Sequence, residues 1–421
     1  MKLKIFQSDK GDCLLLSHGS TNILVDGGLS SSYNAHVAPY LNKMRNGGEK
    51  IDLLCVSHID EDHIQGILKL IEDEVDWRVF DHHQASGSKI KEPKSPRPPV
   101  IDEIWHNAFY DSISKNKGEI EEMLAASASI YSSTNVPELA ELGGYAYSIR
   151  QAIQLSGRLR AEQLGLKLNK RFKGKLAMYR TKQAPIKIGT MTLSIIAPFE
   201  KDLKKLREEW NTWLKTNKSV ISQIKNSQKK DEPLLTSNNS ELLALAGELG
   251  NRGEVTTPNL ASIMFLVEDG KHTVLMTGDG HSEDIMKGLE AINKLDRTKG
   301  RHVDVLKVQH HGSENNLDEE FCRTVTADHY VFCGNGAHHN PDLNVIKAII
   351  DSRVGKNKAI TPQAKNNFTL HFNSSSLETK SANKKHMKSI EDLVKKESLN
   401  SKKFDFEFMA AGKSYMDIVL K

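Results

Sequence analysis

Short apolar runs that stop at a histidine or an aspartate recur along this chain, and they restrict the folds open to it. Ile51-Asp-Leu-Leu-Cys-Val-Ser57 suits a strand buried on both faces, and it delivers His58 to its C-terminal end. Leu275-Met-Thr-Gly leads to Asp279, and Val303-Asp-Val-Leu-Lys-Val308 leads to the pair His310 and His311. Strands of this kind need cover on both sides. Polar residues gathered at strand ends are where α/β folds place their chemistry. The pattern predicts two sheets with helices outside them and one site assembled from loops distant in sequence.

The remaining segments fit that outline. Leu3–Phe6, Cys13–Ser17 and Asn22–Asp26 read as opening strands, the last stopped by Gly27-Gly28. Residues 32–45 suit a helix, and from Asp62 to Glu74 the spacing of Ile64, Ile67, Leu68 and Ile71 predicts an amphipathic one. Residues 84–99 hold four of the twelve prolines and no apolar period, so a mobile loop is expected there. Helical pattern then runs to about residue 170. Strands at 186–188 and 191–197, a charged helix over 200–214 and a polar loop over 216–240 follow. A hairpin over 261–278 turns at Asp269-Gly270. Helices at 282–294, from 318 and at 342–352 alternate with strands at 303–308 and 329–333, and two strands, 404–409 and 414–420, close the chain.

Composition excludes other classes. The 421 residues carry 58 Lys+Arg against 54 Asp+Glu, a formal net charge of +4, and 38% are hydrophobic. No run approaches the ~18 apolar residues of a membrane span. Met1–Asp9 lacks the apolar core of a secretory signal, so the cytosol is the expected location, without a membrane. Cys13, Cys55, Cys322 and Cys333 are too few and too scattered for a disulfide framework or a zinc knuckle, and read as buried thiols. No P-loop, GxGxxG or Ser-His-Asp order competes with the histidine clusters.

Ser57-His-Ile-Asp-Glu-Asp-His63 carries most of the chemistry. Imidazole and carboxylate are the ligand types that suit zinc, manganese or iron, and this spacing sends alternating side chains toward two adjacent metal positions. Taken alone it is a polar turn. Together with strand ends at Asp279 and at His310 and His311, it points to one metal site.

These motifs resemble those of metallo-β-lactamase-fold hydrolases, and within them the ComEC-type branch, whose namesake is a DNA-uptake protein. The matching elements are Gly11-Asp-Cys-Leu-Leu-Leu, Ile23-Leu-Val-Asp26-Gly-Gly, Ser57–Gly66, Thr277-Gly-Asp279, Val308-Gln-His310-His311-Gly-Ser313 and Gly336-Ala-His338-His-Asn-Pro341, spread over residues 1–341. The resemblance implies an α/β, four-layer αββα sandwich with metals at one edge, and hydrolysis by a metal-bound hydroxide. It implies one or two divalent ions, zinc or manganese, held by His58, Asp60, Asp62, His63, Asp279 and His310, with Asp279 bridging. His310 is preferred to His311 as nearer the strand end. Asp26 and His311 would organise the site or serve as alternative ligands. Asp62 would also be catalytic through the nucleophilic water, and His338 would face substrate. Where the family commonly has a second histidine in its main motif, Asp60 stands here. The family's middle histidine has no clear counterpart; His82, His83 and His106 are candidates by position, and His106 reads as structural.

The expected organisation is a hydrolase domain over 1–355, with insertions at about 84–185 and 200–258, and a C-terminal extension over 356–421 packing on it. The insertion carries nine basic residues within 156–182, among them Arg171, Lys173 and Lys175, against a lone Glu162. They read either as a solvated face or as a phosphate-tracking surface. The favoured expectation is phosphodiester hydrolysis on nucleic acid or nucleotides. Two others stand beside it: cleavage of a small ester or phosphoester, and a metal-stabilised regulatory or binding module with little turnover. Stand-alone members of the branch resemble components of anti-phage systems; the expected partner is a nucleic-acid or nucleotide substrate, and the sequence identifies no protein partner.

Overall fold

The computed structural model describes residues 1–107, 168–216, 252–355 and 358–421, with parts of 151–166. The first sheet has the order β14-β1-β2-β3-β4-β5: β1 (Lys2–Phe6), β2 (Leu14–His18), β3 (Thr21–Val25), β4 (Leu53–Cys55), β5 (Ile104–Trp105) and the C-terminal β14 (Tyr415–Val419). The second has eight strands in the order β13-β12-β11-β10-β9-β8-β7-β6: β6 (Ile186–Ile188), β7 (Met191–Ala197), β8 (Met264–Asp269), β9 (His272–Met276), β10 (Arg301–Lys307), β11 (Val325–Phe332), β12 (Phe368–Phe372) and β13 (Phe404–Phe408). Strands β3 to β5 run parallel, as do β9 to β13, so their C-terminal ends face one way within each sheet.

Alternation along the strands builds the layers. Leu14, Leu16, Ile23 and Leu53 of the first sheet meet Phe265, Val274, Val305 and Val331 of the second in one buried layer. The opposite-facing Leu15, Leu24 and Leu54 pack under α1 (Ala38–Asn46) and α2 (Glu61–Ala85). On the far side Leu266, Leu306 and Tyr330 pack under α4 (Ser282–Ala291), α5 (Glu319–Thr324), α6 (Leu343–Val354) and α7 (Ser381–Asn400), while α3 (Glu200–Thr216) turns Leu203 and Leu206 into the first-sheet helix core. The order is helix, sheet, sheet, helix. The four cysteines are buried and unpaired, and no helix of the described residues is long and apolar enough to cross a membrane.

Three departures have local causes. The helix expected to end near Glu74 continues to Ala85, and the proline-rich stretch beyond it is tied back: Trp77 Nε1 donates to Ser95 O at 3.0 Å and Arg45 to Pro98 O at 2.8 Å. Within the span read as helical, Ile104-Trp105 pairs with Leu54-Cys55, a strand too short to show a period of two. Residues 356–421, expected as an extension, supply β12 and β13 to the second sheet and β14 to the first. Residues 108–150 and 217–251 of the expected insertions lie outside the described residues.

Candidate metal centre

The C-terminal ends of β3, β4, β9, β10 and β11 meet at one edge of the sandwich. Close backbone contact brings the first-sheet loops there. A Cβ on Gly66 of α2 would stand 1.9 Å from Gly27 O, and one on Gly11 would stand 1.8 Å from Asp62 O, so only glycine lets α2 settle against both loops. Among the described residues, six of the ten non-glycine positions with positive φ gather at this edge: Asp9, Asp26, His310, His311, His338 and His339. Backbone strain concentrated in this way commonly accompanies a functional site.

One oxygen is the hub. Asp279 Oδ2 lies 3.2 Å from His63 Nε2 and from His311 Nε2, and 3.8 Å from His58 Nε2 and from His310 Nε2. Each imidazole has its other nitrogen engaged. His63 Nδ1 donates to Asp26 Oδ2 (2.9 Å), His311 Nδ1 to Cys333 O (2.6 Å) and His310 Nδ1 to Asn316 Oδ1 (2.7 Å); His58 Nδ1 lies 3.0 Å from Ser57 Oγ, which itself donates to Asp26. Acceptors at Nδ1 fix the proton there and leave the Nε2 lone pair facing inward. Nε2 of His58 and of His63 is buried without a hydrogen-bond partner. Imidazoles held by their outer nitrogen, with the inner one free, are arranged as metal ligands are.

Spacing tests the fit. Zinc–nitrogen bonds of about 2.0–2.1 Å place neighbouring tetrahedral ligands ~3.4 Å apart. Asp62 Oδ2 is 3.4 Å from His311 Nε2, and Asp60 Oδ2 is 3.5 Å from His58 Nε2. Asp62 and Asp279 thus both approach His311, and Asp60 and Asp279 both approach His58, while His63 and His310 also face Asp279. The donor set fits a divalent cation. Asp12, His63, Asp279 and His311 also each offer a donor atom within 4.8 Å of the others. We place Asp12 behind the histidines, however, since it faces Nδ1 of His311 (3.2 Å) and of His63 (3.9 Å), not the inward Nε2.

The charges around the hub explain its titration. Burial would raise Asp279 and Asp62, but His311, His63 and, for Asp279, Lys307 hold both well below the usual carboxylate range. Burial would lower His63 and His311, and the carboxylates, Asp279 foremost, push both well above the usual value. For His310 burial prevails and lowers it.

The sequence reading and this geometry differ in places. The structure brings His58, Asp60, Asp62, His63, Asp279 and His310 together, but His311 stands closer to Asp279 than His310 does. The cause is the backbone: both histidines have positive φ, and the tight reversal swings the second back toward Asp62. Asp26 lies behind the centre, accepting from Ser57 N, Ser57 Oγ and His63 Nδ1. His338 follows β11; burial foremost, then the charge of Lys10, lowers it, and Asp62, His311 and His310 also act on its charge. Of the middle-histidine candidates, His82 and His83 lie in the last turn of α2. His106 follows β5, fully buried with both ring nitrogens unpartnered, and burial pushes it down to about 4. In the basic stretch, Arg171 pairs with Glu103 (2.9 Å), and Lys173 and Lys175 are exposed; Arg160, Glu162 and Lys167 lie outside the described residues. Sequence reasoning missed Asp12 and Lys307. Each had a signal: an aspartate inside a matching motif, and a lysine between Leu306 and Val308 at the end of a strand.

Asp26 offers a test of how the histidines are held. Asp26→Asn keeps the side-chain shape and tolerates the positive φ of 58°, but cannot accept from both Ser57 and His63. Metal affinity measured by chelator competition should fall about 10–100-fold with the fold retained.

The Metallo-beta-lactamase superfamily model matches residues 9–76, which hold Asp12, Asp26 and the His58–His63 motif. No curated protein matches the chain. Among solved structures, the metallo-beta-lactamase fold protein YhfI from Bacillus subtilis shows 11% identity, 99% coverage of both chains and a TM-score of 0.36. Igni18, described as a metallo hydrolase from the archaeon Ignicoccus hospitalis, shows 8% identity, full coverage of both chains and a TM-score of 0.33. These are distant likenesses. The match over residues 9–76 and the two-sheet α/β architecture around it are together consistent with the metallo-β-lactamase fold.

Proposed function

We propose that this chain is a metal-dependent hydrolase of the ComEC-type branch that cleaves phosphodiester bonds in nucleic acid or nucleotides. The observation that carries the reading is the convergence of four inward Nε2 atoms on Asp279 Oδ2. The superfamily matched over residues 9–76 consists mostly of metal-dependent hydrolases. Asp12, Asp26, Asp60, Asp62 and Asp279 bring five carboxylates to the centre against the ammonium groups of Lys307 and Lys10, an excess of negative charge that suits divalent cations, zinc or manganese by donor type.

His58, Asp60, Asp62, His63, Asp279 and His311 would hold divalent cations, which when bound would polarise a phosphoryl oxygen and lower the pKa of water toward about 7. The chain's own groups arrange the rest. Asp62 stays ionised and accepts a proton or hydrogen bond beside His311. Burial, then Lys10, lowers His338, which at neutral pH is an uncharged imidazole able to donate a hydrogen bond to a phosphate oxygen. Lys10 adds a cation on the same side, and this suits an anionic substrate.

The test is loading with manganese, zinc, magnesium or iron, followed by assay on a chromogenic phosphodiester, DNA, RNA and cyclic nucleotides. Metal binding without turnover on any of them would favour a binding module; turnover on carboxylic esters alone would favour the small-ester reading. His338→Ala should lower kcat while metal content is unchanged, and equal loss of both would move His338 into the metal shell. Changing Arg171, Lys173 and Lys175 to alanine together should weaken nucleic-acid binding and flatten its salt dependence by nearly one unit of log–log slope per lost phosphate contact. Hydrolysis of the small chromogenic substrate should survive.

A further inference from the structure

Lys307 ends β10 on the face that Val305 turns toward the other sheet, and its side chain is only 1% exposed. A lysine this deeply buried needs partners. Its ammonium lies 2.5 Å from Asp12 Oδ2, 2.9 Å from Gly278 O and 3.4 Å from Asp279 Oδ1. Asp12 belongs to the loop before β2 in the first sheet, and Gly278 and Asp279 follow β9 in the second. Lys307 thus joins the two sheets directly behind the hub.

The consequence for Asp279 is a division of labour between its oxygens. Oδ1 faces the ammonium, and Oδ2 faces the four imidazoles. A carboxylate without such a partner can turn to grip one cation with both oxygens. Here a cation approaching Oδ1 would meet the like charge of Lys307. The Thr277 hydroxyl, donating to Lys307 O at 2.7 Å, further fixes the β9 turn against β10.

We propose that Lys307 is a positioning residue for the metal centre: by occupying Asp279 Oδ1 it restricts Asp279 to bridging through Oδ2 alone, so that two cations share that oxygen. The inference rests on the metal-hydrolase reading above. Losing the lysine frees Oδ1, lets Asp279 close on one cation with both oxygens and deprives the other of its bridge. The two stepwise affinities then move in opposite directions. Simple removal of a positive charge would tighten both, and loss of a structural tie alone would loosen both.

The experiment is titration of metal-free full-length protein with Co(II), followed by visible absorption and chelator competition. Wild type should take up two equivalents. In Lys307→Met the first should bind at least as tightly, the second at least tenfold more weakly, and the visible band should change; Lys307→Arg should restore most of the second affinity. Melting of the metal-free variants reports folding, and Lys307→Gln carries the same test if the methionine variant does not fold. Parallel tightening, parallel weakening or unchanged affinities would overturn the role of Lys307, as would uptake of one equivalent by wild type. Wild type that binds no metal at all would instead overturn the metal-hydrolase reading.

Discussion

Asp279→Asn is expected to abolish stoichiometric metal binding and to lower hydrolysis at least ~10³-fold, equivalent to about 4 kcal/mol of transition-state stabilisation. The substitution is nearly isosteric, so the argument turns on which atom faces which partner. Lys307 donates toward Oδ1 and would keep the amide oxygen on its own side. The amide NH2 then points at the position of Oδ2, which the Nε2 atoms of His58, His63, His310 and His311 face. A donor now stands where both cations need an acceptor. The fold should survive with lower stability, because the charge attraction of Asp279 to Lys307, His63 and His311 is lost while the amide keeps an oxygen toward Lys307 and offers a donor to imidazoles that can now stay neutral. Metal analysis of purified protein, with melting as the control for folding, checks the result. Full metal content and activity within tenfold of wild type would show that Asp279 is not shared between the ions.

The same residue shows what could be read before any coordinates. Asp279, His58 and the His310–His311 pair were legible because each follows an apolar run long enough to be a buried strand, and chain geometry then sends them to one edge. Two sheets with helices outside them followed from those runs alternating with helical periods, and the four-layer αββα order from the resemblance of the motifs. Local pattern failed where pairing across the fold decides the outcome. Ile104-Trp105 is a strand only because β4 lies beside it, and β14 completes the first sheet through β1, at the opposite end of the chain. Distinguishing His311 from His310 required the positive φ of both, which sequence spacing does not encode. Lys307 follows Val305 and Leu306 in a strand that also carries Asp304, and its charge has no evident partner until Asp12 and Asp279 are found around it.

Stability should depend on pH and metal together, and in opposite senses on the two sides of neutrality. Without metal, the depressed Asp12, Asp62 and Asp279 contribute stability that is present above their ordinary value near 4 and is lost as pH falls. His63 and His311, raised by those carboxylates, contribute stability that is full below about 6.5 and is lost as pH climbs through their elevated values. His106, His310 and His338, held down by burial, add to the acid-side loss, since each must charge on unfolding. Metal-free protein should therefore melt highest in mildly acid solution and lose stability toward alkaline pH. There the five carboxylates outnumber the lysines beside them, and the imidazoles are giving up their protons. Divalent ions reverse this side of the profile, because they take the place of the protons on Nε2 of His63 and His311 and bind better as pH rises. At a thousandfold excess over Kd one ion stabilises by about 4 kcal/mol. The difference in Tm between metal-loaded and EDTA-treated protein should accordingly widen from pH 6 to pH 9 and vanish in acid. A difference that stays constant across that range would mean the ion does not compete with protons at these histidines, and would place the metal elsewhere in the chain.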